Sequence, residues 1–167
     1  MNKQEIYSYL AKKNVRCEIV EHKAVYNMAE AAEIETPYPD AEAKNLFLCD
    51  NKKENFYLIT VKGDKRVNLK EFKQNNGTRP LKFASETMLW DIMSLTPGSV
   101  TPFGVLNDKV AKVQVFFDED FFDGEELIGV HPNDNTASVY LKINDLINII
   151  KEHGNSVNII KITEREV

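Results

Sequence analysis

Cysteine, tryptophan and histidine are scarce in this sequence, with two, one and three residues respectively among 167. Cys17 and Cys49 have neither CxxC spacing nor the density of a disulfide scaffold, so they read as reduced structural thiols and no metal site is expected from them. The sequence contains no His-Glu-x-x-His, GxGxxG or GxxxxGK[ST] pattern, which removes the usual zinc hydrolases and nucleotide-binding enzymes and leaves no cofactor to expect. No Gly-x-Ser-x-Gly elbow surrounds Ser99 or Thr101, so a covalent acyl-enzyme is not the expected route. No run approaches the roughly 18 consecutive apolar residues of a membrane span, and Met1-Asn-Lys-Gln-Glu lacks the apolar stretch of a signal peptide. A cytoplasmic location without a membrane partner is the expectation. Cations are also in deficit: 21 Lys and Arg face 26 Asp and Glu, a net charge of −5. That balance argues against a grip on long nucleic acid through phosphate neutralisation, and no DNA partner is expected.

What is present suits one globular domain over residues 1–167, with 43% hydrophobic and 28% charged residues and no low-complexity tract. Ile6, Tyr9 and Leu10 recur at helical spacing within 2–14, and the β-branched alternation of 16–21 predicts a short strand. Residues 28–35 are rich in alanine and glutamate and predict a helix that the prolines of Thr36-Pro37-Tyr38-Pro39 stop. Residues 44–49 and 56–61, separated by a polar turn, form the clearest hairpin, with both arms mostly buried. A short helix is expected over 68–74, a strand over 81–84, and a helix over 86–94 with Ser85 as its N-cap. Two prolines and two glycines in 95–104 predict an irregular loop. Strands follow at 110–117, 126–130 and 135–141. A last helix is capped by Asn144 or Asp145 and closed by Gly154, ahead of a final strand over 157–162. Seven or so strands with about four helices predict an α/β domain of α+β-like character with a largely antiparallel or mixed sheet.

The polar candidates for chemistry are Lys44 and His131. Lys44 opens a buried strand and reads on its own either as a functional cation or as a solvated flank. His131 lies where a strand meets the turn Gly129-Val-His-Pro-Asn-Asp-Asn-Thr, and Pro132 biases it to an extended backbone, so it suits a site or an ordinary loop bond. His22 and His153 read as structural, the latter as a cation beside a helix C-terminus. The segment Gly98-Ser-Val-Thr-Pro102-Phe-Gly104 exposes backbone N–H and C=O groups that a helix or ladder would consume. Lys62, Lys65, Arg66, Lys70 and Lys73 form a local basic cluster, either a contact for a short nucleic-acid end or a solvated face.

Three stretches in register, Lys44-Asn45-Leu46-Phe47-Leu48, Gly98-Ser-Val-Thr-Pro102-Phe-Gly104 and Gly129-Val-His131-Pro132-Asn-Asp-Asn135-Thr136-Ala137, resemble the YbaK/ProX family of aminoacyl-tRNA deacylases. They span about two thirds of the chain. The resemblance implies a compact fold with a mixed, barrel-like sheet surrounded by helices. It also implies metal-free hydrolysis of an aminoacyl ester by water, with help from the substrate's 2′-hydroxyl. Lys44 and His131 become the expected catalytic-site residues. Asn45, Leu46, Gly98, Ser99, Val100, Thr101, Pro102, Phe103, Gly104, Asn135 and Thr136 become the expected substrate contacts. The run Ser99-Val-Thr-Pro-Phe-Gly is similar to the free-standing branch that clears alanine from tRNA for proline. The implied partners are the acceptor end of that tRNA, charged with alanine, and a transient contact with prolyl-tRNA synthetase. Hydrolysis of Cys- or Ser-charged tRNA, a non-catalytic tRNA- or synthetase-binding module, and a sensor of free amino acid are the competing readings. The sequence departs from the family pattern at Asn133-Asp134, where a more apolar residue is common.

Overall fold

The computed structural model describes residues 1–24 and 36–164, so the helix expected over 28–35 lies outside the described residues. Helix α1 (Lys3–Lys12) starts in a capping box: the Asn2 side chain accepts from the Glu5 N–H at 2.9 Å while the Glu5 carboxylate accepts from the Asn2 N–H at 3.1 Å, so two N–H groups left over at the helix end are satisfied reciprocally. Its Ile6 and Leu10, four residues apart, supply the buried face. Strand β1 (Cys17–Glu21) follows. A single 3₁₀ turn, Pro39–Ala41, then leads into the hairpin β2 (Ala43–Asp50) and β3 (Phe56–Lys62). Helix α2 (Leu69–Asn76) is capped by Asn68 and ended by Gly77 at φ 63°, a left-handed stop that a Cβ would strain. After β4 (Leu81–Phe83), Ser85 caps α3 (Glu86–Met93) through the Met88 N–H. Strands β5 (Val113–Asp118), β6 (Leu127–Val130) and β7 (Ala137–Lys142) lead to α4 (Ile143–His153) and β8 (Val157–Ile160).

Among the described residues the eight strands form two sheets. One is antiparallel in the order β1-β7-β6. The other, in the order β4-β2-β3-β5-β8, has antiparallel β4/β2 and β2/β3 pairs and parallel β3/β5 and β5/β8 pairs. The mixed α/β architecture is as expected, but the sheets stay open where a barrel-like closure was anticipated; a single parallel bridge, Glu42 to Gly129, joins them. Period-2 alternation divides the five-stranded sheet between two cores. Phe47, Phe56, Leu58, Val113, Val115 and Phe117 face α1, α3 and α4, whereas Leu48, Tyr57, Ile59, Val61 and Phe116 face Phe72 of α2. Strands β3 and β5 are covered on both faces, and for that reason read as near-continuous apolar runs.

Strand ends shift by up to three residues, as where β5 starts at Val113 and not at 110, and two further features differ from expectation. Helix α4 begins at Ile143 with no side-chain cap, because the fully buried Ile143 is pinned by its N–H bond to the Glu126 carbonyl at 2.8 Å; tertiary packing sets the start, and Asp145 falls in the first turn instead of at the cap. Residues 95–104 are also more ordered than an irregular loop, holding the 3₁₀ turn Pro97–Ser99 and the start of a second, Pro102–Asn107.

Beneath that loop, a buried polar knot fastens β5 to the end of α4. The Asp108 carboxylate accepts from the Val113 N–H at 2.8 Å and from Asn155 Nδ2 at 2.9 Å, and Nδ2 also donates to the Val113 carbonyl at 2.9 Å. Deleting one member strands buried polar groups that water cannot reach. Asn155→Ala is expected to destabilise the fold by about 3 kcal/mol, since an unsatisfied buried group costs about 1–3 kcal/mol and more when charged. Urea unfolding with an unchanged m-value checks this; an unmoved midpoint would show that the knot is dispensable.

Candidate active site

Strand β2 is paired with β3 along its whole length, but its other edge is covered only at its ends. Near its C-terminal end it meets β4, with a closing bond from the Ala84 N–H to the Phe47 carbonyl at 3.0 Å; just before its start it meets β6 through the Glu42–Gly129 bridge. Alternate residues of an antiparallel strand point their N–H and C=O to the same side, so Asn45, two residues from Phe47, turns its backbone toward the gap between β6 and β4. Two cavities open there and share Asn45 as a wall. The smaller, about 60 Å³, is lined by Glu42, Asn45, Gly129, His131, Ser138 and Tyr140 among others. The larger, about 220 Å³, is lined by Asn45, Leu46, Phe83, Glu86, Pro97 and Val100 among others. The buried Thr60 hydroxyl donates to Asn45 Oδ1 at 2.6 Å, so the Nδ2 hydrogens are what the Asn45 side chain presents to a ligand.

His131, half-buried just after β6, has its Nδ1 2.8 Å from the Ala137 carbonyl. A carbonyl only accepts, so Nδ1 carries the proton and the neutral ring leaves Nε2 as a lone pair. Burial pushes its pKa below the usual imidazole value, which favours this neutral form. The His22 ring lies edge-on to it, centroids 6.1 Å apart, with Nδ1 2.7 Å from the Lys23 carbonyl and Nε2 3.1 Å from the Ser138 hydroxyl. His22, read from sequence as structural, therefore stands beside the site; nothing local to it signals this, because its neighbours come from residues more than a hundred positions away. Gly129 has a packing reason to be glycine: a Cβ would stand 2.5 Å from the Tyr140 ring, which lies across that point of the strand.

The loop over 95–104 reaches this gap by two ties. The buried Thr101 hydroxyl donates to the His131 carbonyl at 2.6 Å, and Gly98 approaches Asn135 so closely that a Cβ would stand 3.2 Å from its Nδ2. Within the loop the N–H groups of Ser99, Phe103 and Gly104 are engaged by Thr96 and Thr101. Pro102 has no N–H, so among the described residues the candidate donors are Gly98, Val100 and Thr101. Ser99 is buried with its hydroxyl 3.4 Å from that of Thr96.

Asn45, Leu46, Gly98, Val100, His131 and Asn135 are thus brought together, while several other expected site residues stand elsewhere. Pro102, Phe103 and Gly104 are buried in the core beneath the loop, where a Cβ on Gly104 would meet Leu95 at 2.5 Å; they support the loop and do not line the cavities. Thr136 is occupied in its turn by Asp134 and by the Lys3 ammonium. Lys44 shares the face of Leu46 and Leu48, opposite to that of the Asn45 side chain, and its ammonium donates to the Lys65 carbonyl at 3.2 Å. The basic cluster is partly neutralised from within: Lys65 pairs with the buried Asp118 at 2.7 Å and with Asp120, and Lys62 donates to the Asp120 carbonyl. A cavity of about 590 Å³ lies apart from His131, with Asp40, Asp123, Glu125 and Glu126 in its wall, a charge that repels phosphate. Among the described residues no group of three His, Cys, Asp or Glu side chains could hold a metal ion, and no helix is long and apolar enough to cross a membrane.

Residues 22–149 match the family model described as an aminoacyl-tRNA editing domain. The chain is 39% identical over 160 residues to the prolyl-tRNA editing protein ProX of Acetoanaerobium sticklandii, covering 96% of this chain and 97% of that one. It is 30% identical over 161 residues to the prolyl-tRNA synthetase associated domain-containing protein 1 of Xenopus laevis, covering 95% of each. A crystal structure of a proposed trans-editing enzyme for prolyl-tRNA synthetase superposes with a TM-score of 0.70 at 19% identity, over 98% of this chain and 97% of that one, which speaks for the fold.

The lowered His131 pKa has a consequence for stability. On acidification the unfolded imidazole takes up its proton near pH 6.5 while the folded one resists. Stability contributed by the neutral ring is therefore present above about pH 6.5 and lost as the pH falls toward the folded value. Denaturation midpoints measured from pH 7.5 to 5 are expected to fall more steeply for the wild type than for His131→Asn; parallel curves would assign the acid sensitivity to other groups.

Proposed function

The chain belongs to the family of aminoacyl-tRNA editing domains, and from that premise we propose that it deacylates tRNA for proline that carries alanine, acting in trans in the cytoplasm. It is an editing hydrolase. The observation that carries the alanine assignment is that the cavity beside His131 is the smaller and more polar of the two that share Asn45, which favours a small side chain over the proline ring. Each additional methylene is worth about 1–3 kcal/mol in a fitted pocket, and exclusion by clash is the easier direction. The larger Leu46–Val100 cavity is then left to the nucleoside.

In this reading the α-ammonium of alanine enters the small cavity toward the Glu42 carboxylate, and the ester carbonyl lies at the Asn45 edge. Water adds to the carbonyl carbon, oriented by the ribose 2′-hydroxyl of the substrate. Amides among Gly98, Val100 and Thr101 receive the developing oxyanion, a role typically worth about 3 kcal/mol per donor. The carbon–oxygen bond to ribose then breaks and the ribose oxygen takes a proton, releasing alanine and uncharged tRNA. The His131 Nε2 lone pair accepts from the ribose hydroxyl or the ammonium, and holds its substrate without acting as a general base. Lys44 is the cation for the terminal phosphate: it reaches round the open edge of β2 after giving up its bond to Lys65, which costs about 1 kcal/mol. The partners are the charged acceptor end and, transiently, prolyl-tRNA synthetase.

Single-turnover assays on tRNA for proline charged with alanine, proline, cysteine or serine test the reading, with alanine expected to be lost fastest and proline retained. Faster loss of serine would move the assignment to the seryl ester, which the hydroxyls of Ser138 and Tyr140 would suit. Equal loss of alanine and proline would overturn the size argument. His131→Ala and Lys44→Ala are each expected to lower the rate roughly 10–100-fold, the equivalent of one hydrogen bond to a charged group at about 1.5–3 kcal/mol. The Lys44 loss should shrink as salt rises. Wild-type rates in either variant would remove that residue from the site.

A further inference from the structure

Phe83 closes the short edge strand β4 and is 62% exposed, and it lines the 220 Å³ cavity together with Asn45, Val100 and Glu86. Trp90 is nearly as exposed, at 59%, but does not line that cavity, so exposure alone does not single out Phe83; its position does. Asn45 is also a wall of the smaller cavity at His131. A group that occupies the Phe83 cavity is therefore adjacent to whatever sits in the aminoacyl cavity. In a charged tRNA the amino acid is esterified to the ribose of the terminal adenosine, and the adenine base stands one sugar ring away from the ester.

We propose that Phe83 and Glu86 form the seat for this terminal adenine, a proposal that rests on the deacylase reading above. An aromatic face at a cleft mouth stacks a base regardless of strand context. The Glu86 carboxylate, at the exposed start of α3, accepts from the exocyclic N6 amine and repels phosphate, so the cavity takes the base and leaves the phosphate to the outer face of β2. The seat acts in binding: it positions the ester against Asn45 and the 98–101 amides without touching the reacting atoms.

Steady-state deacylation of Ala-tRNA for proline separates binding from chemistry. Phe83→Ala is expected to raise KM roughly 10–100-fold with kcat within about twofold, the range of one lost base stack, and Phe83→Trp, which keeps a stacking face, should restore it. Glu86→Ala, which removes the acceptor, is expected to raise KM on normal tRNA but not on tRNA ending in purine riboside, which lacks the amine. A Phe83→Ala enzyme with wild-type KM, or Ala and Trp variants that lose kcat alike, would overturn the seat while leaving the deacylase reading intact. A wild-type enzyme that leaves every charged tRNA intact would overturn the deacylase reading and the seat with it.

Discussion

The second edge of β2 is left unpaired at its middle, and the candidate site follows from that gap. A strand with both edges paired offers no backbone to a ligand, whereas one with an open edge over its whole length invites another chain. Here β6 and β4 approach the two ends and stop, so the exposed interval is about as long as one residue's N–H and C=O. Asn45 occupies it, with its side chain held by Thr60. The two cavities lie on either side of the same residue, which is the geometry a two-part ligand requires: a small head in one and a flat ring in the other.

Rigidity around this gap comes from groups that never meet the ligand. The Thr101 hydroxyl ties the loop to the carbonyl of the very residue whose imidazole lines the small cavity. Phe103 is fully buried, and Gly104 permits a close contact with Leu95, whose side chain a Cβ would force to shift. Donors held in place before the substrate arrives cost no reorganisation when charge develops on the carbonyl. His22 and His131 are held in a similar way: each has Nδ1 against a main-chain carbonyl, so each keeps one tautomer when neutral, and Nε2 of His22 meets the Ser138 hydroxyl.

Electrostatics divide the surface. Lys65 is taken up by Asp118 and Asp120, and in the wall of the broad cavity Lys62 is outnumbered by four carboxylates. A net charge of −5 suits the proposed contact with the end of a tRNA better than a grip along its backbone.

The sequence alone determined what depends on neighbours along the chain. The hairpin of β2 and β3, the periodicity of α1, the capped start of α3, the glycine stop after α4 and the mixed α/β class all follow from local periodicity and cap chemistry. Three short motifs in register sufficed to indicate the family, and they name Asn45, Gly98, Val100 and His131 as candidates. Only the tertiary structure decided which side of each strand faced the cleft and which distant residues completed it. It placed Lys44 on the far face of β2, buried Phe103 and Gly104 under the loop, and brought Glu42, His22, Ser138 and Phe83 to the site. Local patterns carry no information about which strands end beside one another; that is settled by packing two cores against one sheet and by the hydrogen bonds that remain for β2 once β3 has taken its share.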